Sequence, residues 1–243
     1  MRKIFYIIPL VFFFVFAKGQ PIQDTTFLRS SVVKAENTYH KAMNKDLNIL
    51  NGRGYKDYTP TKDEHPYFLT DDWVIGTIIY ESDYYAEVPL LFDISSEKVI
   101  TENLVNGAKM ELVYNKIDQF EISQHVFVKL HNDPSFTSEM TEGFYELLFD
   151  GQLKLYAQRK KSFQQRITGN TMRSEFDEKN KYFLFNGKTY VRATGKKSIT
   201  HALGDTKKLP KPPGMKIDPN STNKLEDKLI YLIKFYNSHT STL

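Results

Sequence analysis

The sequence contains no cysteine among its 243 residues. This absence excludes disulfide bonds, thiol catalysis, cysteine-based zinc sites and iron–sulfur clusters. A protein without disulfides depends on its hydrophobic core alone, and a chain of this length is long enough to bury one.

The chain also lacks the short motifs that mark well-known catalytic sites. It contains no G-x-S-x-G elbow, no phosphate-binding G-x-x-x-x-G-K-[ST] loop and no G-x-G-x-x-G signature. Its 6 histidines are scattered. His125, His131 and Asp133 come closest to a metal-ligand set, but they straddle a strand and a loop, unlike the tight spacing of real sites. We predict no metal and no cofactor, and we favour a non-enzymatic protein over an enzyme.

Long apolar runs are absent beyond the first twenty residues. Two basic residues precede the uncharged run Ile4–Phe16, and the small residues Ala17 and Gly19 follow it. This pattern predicts a signal peptide of residues 1–19, cut before Gln20, because a transmembrane anchor needs about 20 apolar residues. We expect export to the periplasm, or an outer-membrane-associated or extracellular location, with no transmembrane helix after signal removal.

Aromatic residues, in contrast, are abundant, with 18 Phe and 15 Tyr, and this load favours half-buried strands. The candidate strands are Trp73–Glu81, Tyr84–Ile94, Lys98–Glu102, Ala108–Tyr114, Gln119–Ile122, Val126–Leu130, Phe144–Phe149, Lys154–Lys160, Lys181–Phe185 and Lys188–Ala193. Asn106-Gly107, Asp150-Gly151 and Asn186-Gly187 separate some of them, and such pairs favour type I′ hairpin turns with positive φ at both residues.

The predicted fold class is mainly β or α+β. We expect residues 20–243 to form a single domain. In it, about ten strands between residues 73 and 193 form one antiparallel meander sheet, curved or partly barrel-like. An N-terminal helical segment at 31–50 and a C-terminal helix at 222–237 would pack on this sheet.

The C-terminal helix has the clearer helical pattern. Thr222 or Asn223 is its predicted cap, and its apolar residues recur at three- and four-residue spacing. That predicted face consists of Leu225, Leu229, Leu232, Ile233 and Tyr236. A short helical turn at Ser198–Leu203 and a basic, proline-rich connection at 207–219 precede this helix.

Charge is unevenly distributed along the chain. Residues Tyr55–Asp150 carry 19 acidic and 6 basic residues, whereas Gly151–Lys216 carry 16 basic and 4 acidic residues. A basic face for an anionic partner is one interpretation, and ordinary solvated strand surfaces are the other. The candidate binding residues are Arg159, Lys160, Lys161, Lys196 and Lys197. We expect no nucleic-acid partner, because an exported chain rarely meets one and the usual fold signatures are absent.

Aromatic and acidic residues offer two further candidate sites. Tyr80, Tyr84 and Tyr85 would form an aromatic surface if exposed, although aromatics at alternate strand positions are more typical of a core. Asp93 is a carboxylate beside aromatics, but a hydrolase needs two such groups facing each other, and an Asp at a strand end more often starts a turn.

Several segments resemble a family of uncharacterised exported proteins of Gram-negative bacteria. They include N-G-R-G-Y at 51–55, H-P-Y-F at 65–68, and W-V-I-G-T-I-I-Y followed by Y-A-E-V-P-L-L-F-D. Further matching segments are G-F-Y-E-L-L-F-D-G-Q-L-K-L-Y-A-Q-R-K-K at 143–161, K-Y-F-L-F-N-G-K-T-Y, and S-I-T-H-A-L-G-D at 198–205. The resemblance implies one undivided unit and brings no activity with it. Family members usually carry a helix-forming, lysine-rich stretch after this G-D, where this chain has the helix-breaking Lys-Leu-Pro-Lys-Pro-Pro-Gly.

These observations favour a non-enzymatic exported envelope protein that binds a protein partner or an anionic envelope component. Two alternatives stay open. One is a carrier of an apolar ligand in a cavity between sheet and helix, and the other is a carboxylate-based hydrolase of envelope polymers. The oligomeric state is not predicted.

Overall fold

The computed structural model describes residue 49 and residues 51–57, 64–103, 106–168, 171–204, 213–214 and 223–240, without the side chains of 165–174 and 239–240. These residues all belong to one compact unit, Asn44–Leu243. The predicted signal peptide, nearly all of the predicted helical segment at 31–50 and most of the connection at 207–219 lie outside the described residues. Within the described part of the chain, no helix has both the length and the apolar character that a membrane crossing requires.

Strands dominate the structure, as the aromatic content predicts. The strands β1 to β13, in chain order, are Arg53–Gly54, Val74–Tyr80, Asp83–Asp93, Lys98–Glu102, Lys109–Glu111, Ile117–Ile122, His125–Leu130, Gly143–Phe149, Lys154–Gln158, Lys161–Thr168, Thr171–Glu178, Lys181–Phe185 and Tyr190–Arg192. The helices are α1 (Lys196–Ala202) and α2 (Lys224–Thr240), and a short 3-10 helix spans Tyr114–Lys116. The mainly β class and the C-terminal helix are therefore confirmed.

Eleven strands form one open antiparallel sheet in the order β1-β5-β4-β3-β2-β6-β7-β8-β9-β12-β13. The chain first runs outward from β2 to β5, and it then returns so that β6 pairs with β2 on its other side. From β6 onward, successive strands build toward the opposite edge. A single meander is therefore corrected to two runs that meet at β2. The strands β10 and β11 follow β9 and precede β12 in the chain, and they form a separate two-stranded hairpin outside the main sheet.

The predicted turn types are also corrected. In the described residues, consecutive positive φ angles occur at Glu81-Ser82 (53° and 67°) and at Ser123-Gln124 (50° and 67°). Asn106, Asp150 and Asn186, which precede glycines, all keep negative φ. The Asx-Gly pairs therefore mark turns correctly, but they do not form the type I′ conformation.

Stacked and edge-to-face phenylalanines make the core of the first half of the sheet. Phe92 lies on β3, Phe120 on β6, Phe127 on β7 and Phe144 on β8. The rings of Phe92 and Phe127 meet edge to face with centroids 5.0 Å apart, and those of Phe120 and Phe127 stack at the same distance. We call this group, with the residues buried around it, the phenylalanine cluster.

The helices cover the second half of the sheet. On α2, Leu229, Leu232, Ile233 and Tyr236 are all buried, which confirms most of the predicted apolar face. They share one hydrophobic cluster with residues of β9, β12 and α1. We call it the helix cluster; its sheet members are Leu155, Ala157, Tyr182 and Leu184. The opposite face of these strands carries a third cluster that includes Tyr145, Tyr156 and Phe183.

Candidate functional site

The boundary between the phenylalanine cluster and the helix cluster is polar. Along β8, alternate residues point to the same face of the sheet. On that face, Phe144 belongs to the phenylalanine cluster and Leu148 packs against the helix cluster. Glu146 lies between them and is buried. A buried carboxylate at this position is costly unless it is hydrogen-bonded and paired, so its partners define the site.

His125 on β7 is the first partner of this carboxylate. Its Nδ1 atom lies 2.5 Å from Oε1 of Glu146, and the two side chains are 36% and 3% exposed. The hydrogen bond to Glu146 raises the pKa of His125, against the opposing effect of burial. Because an ionised carboxylate only accepts hydrogen bonds, Nδ1 donates, and the other ring nitrogen, Nε2, points away from Glu146.

Arg159, directly after β9, is the second partner. Its Nε atom donates to Oε2 of Glu146 at 2.5 Å. Its Nη1 and Nη2 atoms donate to the two carboxylate oxygens of Glu226 on α2, at 2.7 and 3.1 Å. Burial by itself would lower the pKa of Arg159, but the two carboxylates outweigh it and raise that pKa. The guanidinium therefore binds one carboxylate from the sheet and one from the helix.

The pKa of Glu146 reflects the same contacts. Burial by itself would raise it, but the hydrogen bonds from His125 and Arg159 hold the pKa of Glu146 below its usual range. The carboxylate is therefore kept ionised and fully paired.

Tyr182 and Asn223 complete the network at the beginning of α2. The Tyr182 hydroxyl donates to Oε2 of Glu226 at 3.0 Å, and Nδ2 of Asn223 donates to the same oxygen at 3.0 Å. The Asn223 amide also contacts the Tyr182 hydroxyl. Burial and the Glu226 charge raise the pKa of Tyr182 to about 12. The backbone N–H of Glu226 donates to Oδ1 of Asn223 at 3.4 Å, which confirms Asn223 as the helix cap.

A cleft of about 580 Å³ opens beside this network. Its lining combines charged or polar side chains with apolar ones. The lining residues are Phe68, Leu69, His125, Arg159, Glu178, Asn180, Tyr182, Asn223, Leu225 and Glu226. The volume lies within the range of ordinary small-molecule sites, about 300 to 1,000 Å³.

Two leucines of the cleft are unusually exposed. Leu69 is 57% exposed and Leu225 is 41% exposed. The other large exposed hydrophobic residues in the described part of the chain are Ile75, Val113 and Phe163. Leu69 also has a φ of 59°, in the left-handed region that a branched side chain adopts only at a cost of order 1–3 kcal/mol. The backbone therefore holds an apolar side chain at the cleft despite both exposure and strain.

The structure separates the basic residues that the sequence grouped together. Arg159 is buried and pairs with two glutamates, Glu146 and Glu226. It therefore does not belong to an exposed basic face, and that interpretation is corrected for this residue. Lys161 donates from Nζ to the backbone oxygens of His65 and Tyr67 at 3.0 and 2.8 Å, and burial lowers its pKa. Lys160 is exposed.

Lys196 and Lys197 lie at the beginning of α1, and both are exposed. They and Lys160 therefore stay accessible candidates for an anionic partner.

Of the two interpretations of the tyrosines, the structure supports the core for Tyr80 and Tyr85. Tyr80 and Tyr85 are buried within the phenylalanine cluster, and Tyr84 is half-buried. Asp93 is buried and starts a turn, as predicted, because its Oδ1 accepts the backbone N–H groups of Ser95 at 2.8 Å and Ser96 at 3.0 Å. Across the residues described, no group of three or more His, Asp or Glu side chains is arranged to hold a metal ion.

Most of the site was missed from the sequence. Glu146 had one visible signal, since it is the lone charge in the otherwise uncharged strand Gly143–Phe149. Glu226 is recognisable from the sequence only as an acid in the first turn of a helix, and Tyr182 only as one of many strand aromatics. No local pattern connects these three residues, because they come from separate elements.

Comparison with known proteins gives no match to a family model, to a curated protein sequence or to a solved structure.

Proposed function

We propose that this chain is a non-enzymatic exported protein of the cell envelope, and that the cleft beside the Arg159 network is its binding site for an amphiphilic ligand. Export is supported by the predicted signal peptide at 1–19. One observation carries the ligand site: Leu69 and Leu225 stay exposed over a buried, charged network that lines the same cleft. This proposal joins the binding module and the apolar carrier that the sequence suggested.

The physical argument starts from the apolar surface. Burial of apolar surface contributes roughly 25 cal/mol of favourable free energy for each Å² removed from water, and an exposed leucine does not gain this contribution. A ligand that covers Leu69 and Leu225 would recover part of this free energy. Phe68 also lines the cleft and is buried, so it offers an apolar chain a further apolar contact. The polar network would then face the ligand's head group.

A carboxylate-based hydrolase receives less support from the same geometry. Such an enzyme needs one protonated and one ionised carboxyl group. Glu146 and Glu226 both accept hydrogen bonds from Arg159, and the pKa of Glu146 is lowered. Neither contact supplies the raised pKa of a general acid.

His125 provides a second candidate function, the activation of water. Its hydrogen bond to Glu146 orients the ring, as carboxylates do for catalytic histidines, and leaves Nε2 directed away from the buried partner. However, the raised pKa of His125 favours the protonated form, which is no base. Arg159, which shares Glu146 with His125, has its hydrogen bonds directed to Glu146 and Glu226. We therefore rank binding first.

Fluorescence titration with N-phenyl-1-naphthylamine, a neutral apolar dye, tests the binding site. We expect saturable binding to the wild-type protein, and we expect Leu69→Asn or Leu225→Asn to weaken it about tenfold, as expected for roughly 1.4 kcal/mol of lost burial. Asn tolerates the left-handed backbone at position 69. Ile75→Asn is the matched control, because Ile75 is 65% exposed and lies outside this cleft. Equal losses in all three variants, or no dye binding, would overturn the proposal.

An anionic envelope component stays a proposal for a separate surface, with Lys160, Lys196 and Lys197 as its exposed candidates. Binding of the purified protein to anionic lipid vesicles should then weaken as ionic strength rises. Binding that is indifferent to salt would remove this interpretation.

A further inference from the structure

We propose that the ligand of the cleft carries an amine: an amphiphile with a protonated amino head group and an apolar chain. This inference rests on the proposed binding function and specifies the chemistry of the head group. The apolar chain would cover Leu69 and Leu225, and the ammonium group would lie against the acidic part of the lining.

The balance of charge at the cleft is the first argument. Glu178 and Glu226 line the cleft, and Glu146 lies behind it in contact with Arg159. Arg159 offsets one of these three negative charges. His125, when protonated, offsets one more. These five residues together keep a net negative charge in either protonation state of His125. Lys161 acts on Glu178 from outside the lining, but it acts on Glu64 and Asp93 as well. A cation is therefore the complementary ligand.

The hydrogen-bonding groups of the cleft are the second argument. The Nε, Nη1 and Nη2 atoms of Arg159 all donate to carboxylate oxygens within the protein. Glu146 occupies the edge formed by Nε and Nη2, and Glu226 occupies the edge formed by Nη1 and Nη2. An incoming carboxylate or phosphate would have to displace one of them to form two parallel hydrogen bonds with this guanidinium. Arg159 is therefore poorly suited to an anionic head group, although an isolated arginine in a cleft would suit one.

Acceptors, in contrast, are available. Nδ2 of Asn180 donates to Glu178 at 2.8 Å. Oδ1 of the same amide is buried and has no hydrogen-bond partner among the described residues. A buried acceptor without a partner is unfavourable, and an N–H donor bound beside it would satisfy it. An ammonium group brings three donors and no acceptor, which matches a lining rich in oxygen.

Three ligands with apolar chains of about the same length distinguish the effect of head-group charge from that of apolar burial. They are decylamine, decanol and decanoate. Each is titrated below its micelle concentration, at neutral pH, by displacement of N-phenyl-1-naphthylamine and by calorimetry. We expect decylamine to bind about tenfold more tightly than decanol, the effect of one moderately screened ion pair. We expect decanoate to bind more weakly than decanol.

Glu178→Gln should reduce the ratio of decylamine to decanol affinity, measured on the same variant, at least about threefold, because the change removes a charge from the lining and preserves the size of an exposed side chain. Asp118→Asn is the control, since this exposed carboxylate on β6 lies outside the cleft.

Equal binding of decylamine and decanol would overturn the amine inference and leave the apolar site standing, and so would a preference for decanoate. Failure of all three ligands to bind would instead overturn the proposed binding function.

Discussion

Arg159 and Glu226 join the sheet to the C-terminal helix through two parallel hydrogen bonds of 2.7 and 3.1 Å. The two residues are 67 positions apart in the chain. The same guanidinium also binds Glu146, so one arginine bridges carboxylates from two elements that would otherwise repel each other. The network thereby holds the first turn of α2 against the sheet beside the cleft.

Replacement of Arg159 should be strongly destabilising. Arg159→Ala would leave Glu146 buried without its arginine partner, and breaking a buried ion pair in this way typically costs about 3–5 kcal/mol. We expect this loss in the free energy of unfolding measured by urea denaturation. Arg53→Ala is the matched control, because its ion pair with Glu111 involves a largely exposed arginine and should contribute less than about 1 kcal/mol. Similar losses in the two variants would contradict the role assigned to the buried network.

The anchoring of α2 should show coupling between Tyr182 and Glu226. Tyr182→Phe removes one hydrogen bond to the carboxylate and should cost about 1 kcal/mol. In a Glu226→Gln background the same change should cost less, because a neutral amide is the weaker acceptor. A double-mutant cycle measured by urea denaturation gives this difference, and strict additivity of the two changes would show that the hydrogen bond contributes nothing.

Strands with strong alternation were predictable from the sequence, and the polar hairpin was not. The strands Val74–Tyr80 and Lys181–Phe185 are both rich in apolar residues. The predicted range Trp73–Glu81 contains the first strand, and the predicted range of the second equals the observed one. Lys161–Thr168 and Thr171–Glu178 are mostly polar, and they pair with each other outside the main sheet. Pairing between two such strands leaves no strong hydrophobic signature, so both were missed.

Turn conformation was less predictable than turn position. The pairing of Tyr80 with Asp83 and of Ile122 with His125 leaves two-residue loops. The strand twist then favours positive φ at both loop positions, although no glycine is present there. By contrast, Phe185 pairs with Tyr190, so the loop containing Asn186-Gly187 has four residues and relaxes this demand. Loop length therefore outweighed residue preference.

The site lay beyond sequence reasoning because its contacts are non-local. A run of basic residues around Arg159 suggests an exposed cluster, and nothing nearby shows that two distant acids bury it. Only the pairing of β7, β8 and β9 brings His125, Glu146 and Arg159 together.

The His125–Glu146 pair should make stability depend on pH within a definite window. The raised pKa of His125 means that its contribution is fully present below the unfolded histidine pKa, about 6.5, and is lost as pH rises through the folded value. The lowered pKa of Glu146 means that its contribution is present above the unfolded glutamate pKa, about 4.3, and is lost as pH falls through the folded value. Both contributions are complete between these limits.

His125→Gln is the variant that tests this window, since Gln keeps a hydrogen-bond donor but cannot titrate. The groups that act on His125 are Glu146, Arg159 and Glu226, and all three remain in the variant. We expect the difference in free energy of unfolding between wild type and variant to be largest between about pH 4.3 and 6.5, and to shrink at higher pH. A difference that is constant with pH would show that the contact between His125 and Glu146 is not an ion pair.

Gly76 should be a position where an added methyl group harms the sheet. It lies on β2, where the two runs of strands meet. A Cβ atom built there would lie 2.1 Å from the backbone oxygen of Glu121 on β6. The same atom would lie 3.1 Å from a side-chain carbon of Leu90. The backbone oxygen belongs to a paired strand and cannot move aside without disturbing the pairing of β2 with β6. We expect Gly76→Ala to cost more than about 2 kcal/mol in urea denaturation, as overpacking against fixed atoms does. Gly54→Ala is the control, because nothing lies within 4 Å of its added Cβ. If Gly76→Ala were tolerated as well as Gly54→Ala, the close approach of β2 and β6 would be wrong, and with it the point at which the sheet's two halves join.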